Sequence, residues 1–230
     1  MSTPTLRGIS SMATRQVLVE LLAAYEQQTG QCAVIEAVGG VDAAKRVQAG
    51  EAFDVVVLAS DAIDKLIAAG AVVAGSRTDW VRSGVAVAVR AGAPLPDIGS
   101  EDAVRSAVLA ARSISYSTGP SGVALAKLFE RWGIAGEVAG RMVQAPPGVP
   151  VGSLVARGDV ELGFQQLSEL LHVEGIAIVG PLPPAIQITT IFSSGVAVTS
   201  AQPAAAQALL DFLASPAAAD AKRRQGMDPA

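Results

Sequence analysis

Residues 115–134, SYSTGPSGVALAKLFERWGI, decide how this chain reads. A short apolar strand enters the small-residue turn Ser117-Thr118-Gly119-Pro120-Ser121-Gly122, and an amphipathic helix leaves it. The first N–H groups of a helix lack internal partners, and the helix dipole places partial positive charge there. Small side chains let an anion reach those groups, and Ser or Thr hydroxyls add donors. The start of the chain repeats the pattern: Leu6-Arg7-Gly8-Ile9-Ser10-Ser11-Met12-Ala13-Thr14, then a long helical stretch. Two such junctions suggest an oxyanion or carboxylate held by both.

Strand-like and helix-like segments alternate on either side of this stretch. Ser11–Gln28 reads as a helix, with Val17, Leu18, Leu21, Leu22 and Tyr25 on one face and Gly30 past its end. Cys32–Val38 is strand-like, and Gly39-Gly40 precedes a short helix. The run FDVVVLA, 53–59, suits a parallel strand buried on both faces, and Ser60-Asp61 opens helix 61–69. Further on, the pattern gives strand 85–89, helix 101–111 capped by Ser100, strand 114–116 and helix 121–132. Strand 142–145, the breaker run 146–150 and helix 151–157 follow; then come strand 160–164 and a helix opened by Gln165-Gln166. Strand 176–179, the extended segment 186–199, and helices 203–214 and 216–225, each begun by a proline, complete the chain. Such alternation is α/β with mainly parallel sheets, whose ligands sit at the C-terminal ends of the strands.

Composition bounds the function. The 230 residues are 50% hydrophobic and 17% charged, with a net charge of −4. The longest basic run is Lys222-Arg223-Arg224, so nucleic acid is not an expected partner. The single cysteine, Cys32, excludes an intramolecular disulfide and reads as a buried thiol. One His and one Cys make no zinc site without several carboxylates, and no Walker loop, dinucleotide fingerprint or GxSxG elbow is present. The expectation is no metal and no cofactor. Met1-Ser2-Thr3-Pro4-Thr5 leads straight into the first strand without a leader pattern, and no apolar run spans a bilayer. The chain as written is therefore expected in the cytoplasm without membrane insertion. A removed native leader would place it in the periplasm, with a transporter permease as partner.

The chain resembles the type II periplasmic-binding-protein superfamily, and within it the molybdate-binding proteins. The segments that carry the likeness are the Ser10-Ser11 pair, YEQQTG at 25–30, Gly39-Gly40, QAGEAFDVVVLAS at 48–60 and DKLIAAGAV at 64–72. To these are added STGPSGVALAKLFERWGI at 117–134, VARGDVELGFQQLSEL at 155–170 and LLDFLASPAAADAKRRQGM at 209–227. The resemblance implies a two-lobed periplasmic-binding-protein-like fold with the ligand in a cleft between the lobes. It places lobe I at 1–82 plus 193–230 and lobe II at 83–192, with crossover strands near 80–90 and 186–199.

In the molybdate binders two Ser hydroxyls, backbone N–H groups and a Tyr hydroxyl hold the oxyanion. Ser10 or Ser11 matches the first Ser by motif. The turn after the second strand is Gly39-Gly40, without a hydroxyl, and the late Tyr has no match; Gln165-Gln166 stands nearby. With Met12, Val149 and Phe164 as apolar neighbours, such a site suits an organic carboxylate. The expected ligand-binding set is Ser10, Ser11, Met12, Gly39, Gly40, Ser60, Arg82, the turn residues Ser117, Thr118, Gly119, Ser121 and Gly122, and Val149 with Gln165. Ser121 alone reads equally as an N-cap, and Arg82 as a carboxylate partner or a solvated side chain. Asp54 reads as a structural group.

The resulting expectation is a binding protein for a small anion. An alternative is a cytoplasmic isomerase or tautomerase acting on an unsaturated acid or ketone, which needs only oxyanion donors and one base. Tyr116, Asp61, Asp42 and His172 are the candidate bases. A ligand sensor is a second alternative.

Overall fold

The computed structural model describes residues 4–146 and 148–230; Met1–Thr3, and Pro147 of the breaker run, lie outside the described residues. The chain opens with β1 (Leu6–Ser11), a 3₁₀ turn at Met12–Thr14, α1 (Arg15–Thr29), β2 (Ala33–Val38), α2 (Gly40–Gln48), β3 (Val55–Ala59) and α3 (Ser60–Ala68). It continues through β4 (Thr78–Arg90), α4 (Glu101–Ala110), β5 (Ile114–Tyr116), α5 (Pro120–Arg131), α6 (Ala135–Val138), β6 (Met142–Gln144) and α7 (Val151–Arg157). The remainder is β7 (Leu162–Gln166), α8 (Leu167–Leu170), β8 (Ile176–Pro181), β9 (Thr189–Val196), α9 (Pro203–Ala214), α10 (Ala219–Arg224) and β10 (Asp228–Pro229).

The chain forms two compact units, one running through Arg82 and resuming at Ile191–Ala230, the other Ser83–Thr190. In the first unit the strand order is β2-β1-β3-β9-β4, with β10 on β4. β1 lies parallel to β2 and to β3, while β9 meets β3 antiparallel. Strand alternation divides the core in two. Val55, Val57 and Ala59 face α1 and α9 in a cluster with Leu18, Leu21, Tyr25, Leu209 and Leu213. Val56 and Leu58 face the other way, onto Ile9, Ala43, Val47, Ile63 and Leu66 of the α2–α3 layer. Both faces of β3 are thus buried, which is why its sequence is apolar without alternation. At about 1.5–3 kcal/mol per fully buried aliphatic side chain, these clusters are the main stabilising term of the unit. α1 ends at Gly30, whose φ of 71° is left-handed and accessible to glycine at little cost.

The second unit repeats the plan around the central strand pair β5 and β7. β5 is parallel to β6 and to β7, and β4 is antiparallel to both β7 and β8. Val85, Val87, Ile114, Leu162 and Phe164 pack under α4 and α5 with Val104, Val108, Leu125 and Phe129. Ala86, Ala88 and Leu170 form a cluster on the other face, and Val151, Leu154 and Val155 of α7 form a neighbouring one. Gly163 permits that contact: a Cβ there would stand 2.6 Å from Val155 Cγ2.

Several elements differ from the sequence reading. The helix expected from Ser11 begins as a 3₁₀ turn, and α1 proper starts at Arg15. β4 starts seven residues before the expected Val85, because Thr78–Gly84 is extended although its polar residues break the apolar pattern. β7 lies two residues later than expected: Gln165 and Gln166 close the strand instead of opening a helix. Cys32 is partly exposed, where a buried thiol was expected.

Candidate functional site

In the first unit the residues of interest gather where β1, β2 and β3 end. The register pairs Ser10 with Ala37 and Val57, and Ser11 with Val38. The next residues, Met12, Gly39 and the Ala59-Ser60 step, therefore leave neighbouring parallel strands side by side. Each of these strand ends feeds a helical segment: the 3₁₀ turn, α2 and α3. Parity then separates the two serines. Ser10 is fully buried, and its hydroxyl donates to the Glu36 carbonyl oxygen at 3.4 Å. Ser11 follows Ile9 onto the α2–α3 face; a Cβ on Gly40 would stand 3.7 Å from Ser11 Cβ. Ser11 is 8% exposed, and its Oγ has no hydrogen-bond partner. A buried hydroxyl left unpaired costs about 1–3 kcal/mol. It sits beside the start of the nine-residue helix α2, whose first N–H groups point out of the helix. Met12 and Ser60 are half-buried at the same edge.

The second unit places its turn the same way. Tyr116 of β5 pairs with Gln144 and Phe164, so Ser117, the first residue past β5, lies beside Gln165 near the end of β7. Gly119 caps α5 in extended conformation, Pro120 takes the first helical position, and the Ser117 and Ser121 hydroxyls lie 3.2 Å apart. Gly122 is obligatory: a Cβ there would run into the Ser117 carbonyl. Thr118 is exposed. Gln165 is buried, and its Oε1 accepts from Gly152 N–H at 3.3 Å. Gln166, on the opposite face, donates from Nε2 to Thr190 Oγ1 at 2.8 Å, and its Oε1 is unpartnered. Val149 packs against the α7 cluster.

The turns 10–14, 39–41 and 117–122 contain no charged residue. Each can hold an anion through neutral, oriented donors whose partial charges need no counter-ion and whose geometry is set before the ligand arrives.

Other candidates fall elsewhere. Arg82 is exposed and donates from Nε to the Pro229 carbonyl at 3.1 Å, tying β4 to β10 rather than lying with a strand-end turn. Asp61 is exposed and ion-paired with Lys65 at 3.4 Å. Asp42 is exposed in the first turn of α2, within reach of the Gly39 turn. Tyr116 packs its ring on the second unit's core and beside Gly122. His172 is exposed just past α8. Asp54 accepts from Arg7 N–H at 2.9 Å and from the Ser200 hydroxyl at 2.6 Å, a structural tie.

One group escaped the sequence reading. Glu169, in the single turn of α8, is surrounded by protein yet retains partial solvent access. Burial pushes its pKa up to about 7, against a smaller downward pull from a hydrogen bond to the Gln165 side chain. The available signal was an acid three to four residues after two polar residues at the end of a parallel strand. Among the described residues no group of three or more His, Cys, Asp or Glu is placed to hold a metal ion. Among them too, no helix is long and apolar enough to cross a membrane.

Comparison with known proteins places this architecture. The Azotobacter vinelandii periplasmic molybdate-binding protein superposes with a TM-score of 0.80 at 21% identity, covering 96% of this chain and 98% of that one. The sulfate-binding protein SubI of Mycobacterium tuberculosis H37Rv gives 0.78 at 17% identity, over 99% and 87%. At these identities the likeness is one of fold, and the resemblance to molybdate-binding proteins holds at that level. A Pseudomonas protein described as an aconitate isomerase is 41% identical over 233 aligned residues, covering 98% of this chain and 88% of the relative. The family model for bacterial extracellular solute-binding proteins matches residues 6–228, and the chain belongs to that family.

Proposed function

We propose, from that membership, that the protein binds a small organic anion of the polycarboxylate class through neutral donors. In the first unit these are the Ser11 hydroxyl and the first N–H groups of α2; the 117–122 turn of the second unit offers donors of the same kind. The observation that carries the reading is Ser11 Oγ, buried and unpartnered beside the start of α2. The absence of a hydroxyl at Gly39-Gly40, where the molybdate binders supply their second Ser, favours an organic carboxylate over a tetraoxyanion. Calorimetric titration with cis-aconitate, trans-aconitate, citrate, molybdate and sulfate tests it. Micromolar binding of a polycarboxylate without a molybdate response supports the reading; the reverse order overturns it.

The 41% identical relative favours a second reading, that the protein interconverts the isomers of an unsaturated tricarboxylate such as aconitate. Proton NMR of either isomer with the protein in D2O reads both interconversion and solvent exchange. If instead the protein only delivers its ligand, the extracellular family description favours the periplasm and a permease partner. Fractionation of the source cells decides between that and the cytoplasmic expectation.

A further inference from the structure

We infer that Glu169 is the proton-transferring group of the isomerase reading, on which this inference rests, and that Gln165 is its positioning residue. Three observations converge on it. Glu169 is set one helical turn past the end of β7, the strand parallel to β5, whose own end is the Ser117 turn. Its carboxyl is enclosed by protein, while the residue as a whole is only half-buried. Gln165 holds it from one side while its own Oε1 is fixed by the Gly152 N–H, so the amide cannot turn without losing a buried bond. The titratable side chains on α7, on residues 83–90 of β4 and just beyond α8 are Arg157, ion-paired to Asp159 at 2.8 Å, Arg90, and exposed His172 and Glu174.

The other carboxylates near the strand ends lack this combination: Asp61 is exposed and paired with Lys65, and Asp42 is exposed. A carboxyl whose pKa stands at about 7 is half ionised at neutral pH, and serves equally to take a proton and return it.

The step needs no co-reactant. A C–H bond of the substrate methylene breaks, and its proton passes to a Glu169 carboxylate oxygen. The electron pair spreads over the allyl system onto a substrate carboxylate held by the neutral N–H and hydroxyl donors of the 117–122 turn. The same carboxyl then returns the proton to the other end of the allyl unit. The double bond has moved and Glu169 is a carboxylate again.

The test compares wild type, Glu169→Gln and Glu169→Asp, measuring trans-aconitate binding by calorimetry and interconversion with deuterium uptake by NMR. Glu169→Gln should bind within about threefold of wild type and lose both exchange and interconversion by 10²-fold or more. Glu169→Asp should keep a measurable rate with little change in KM, and its acid limb in kcat/KM against pH should fall below that of wild type. Full exchange in Glu169→Gln overturns the inference while leaving the isomerase reading intact. If Glu169→Gln does not fold, an unmoved acid limb in Glu169→Asp overturns it instead. Wild type that binds aconitate but neither exchanges nor interconverts it removes the isomerase reading, and this inference with it.

Discussion

At the scale of single residues, the contrast of Ser10 with Ser11, the close approach at Gly122 and the buried Lys222 each yield a test. Ser11 differs from Ser10 by one step along a strand, and that step turns one hydroxyl toward the Glu36 carbonyl and leaves the other unpaired. Ser11→Ala should therefore weaken polycarboxylate binding by about 10- to 100-fold, the range for a hydrogen bond to a charged group. Ser10→Ala should change affinity far less; calorimetry on both variants checks the contrast. Gly122→Ala should lower the melting temperature and weaken binding together, because the added methyl collides with the Ser117 carbonyl and moves the turn. Lys222 is a separate case. Its side chain is covered, though by a thin layer, with its ammonium 5.7 Å from the centroid of the Trp80 ring, and burial lowers its pKa to about 8. The folded state then holds its proton less tightly than the unfolded chain, so this group's contribution to stability rises with pH between about 8 and 10.5. Lys222→Met should abolish that slope and raise the melting temperature at pH 7; a lowered temperature contradicts it. Neither serine's orientation nor the lysine's cover is legible in the sequence, since each depends on which face of a sheet its neighbours occupy.

At the scale of elements, the βα units were legible because their signals are local. β3 is a continuous apolar run, α4 has its Ser100 cap accepting from Ala103 N–H at 3.1 Å, and α9 begins at a proline. The errors fall where polar residues are buried. β7 was ended at Phe164 because two glutamines follow, yet both stay in the strand with their amides engaged by Gly152 and Thr190. The shift matters, since it moves Glu169 into the first turn after the strand. At this junction the carboxyl's raised pKa means the folded state binds a proton more tightly than the unfolded chain. Its stabilising contribution is complete below pH 4.5 and is lost as pH rises through about 7. Glu169→Gln should flatten that part of the stability–pH curve, measured by urea unfolding between pH 4.5 and 8. A curve unchanged from wild type contradicts the burial of this group.

At the scale of the whole molecule, the sequence pattern led to the fold family through the order and spacing of its turns, and the family model covers residues 6–228. The ligand is less legible, because the donors proposed for it are mostly backbone N–H groups, whose presence depends on helix starts and not on residue identity. The same architecture serves molybdate- and sulfate-binding proteins and lies close in sequence to an aconitate isomerase. On the proposed function, selection among such anions falls to a few positions: Ser11, the hydroxyl-free Gly39-Gly40 turn, and the Gln165–Glu169 segment. The central claim is that neutral strand-end donors hold an organic polycarboxylate. A crystal structure of the protein grown with trans-aconitate tests it most directly. The account predicts a substrate carboxylate within hydrogen-bond distance of Ser11 Oγ and of the first N–H groups of α2. Well-ordered aconitate bound elsewhere, with Ser11 Oγ still unpartnered, would contradict it.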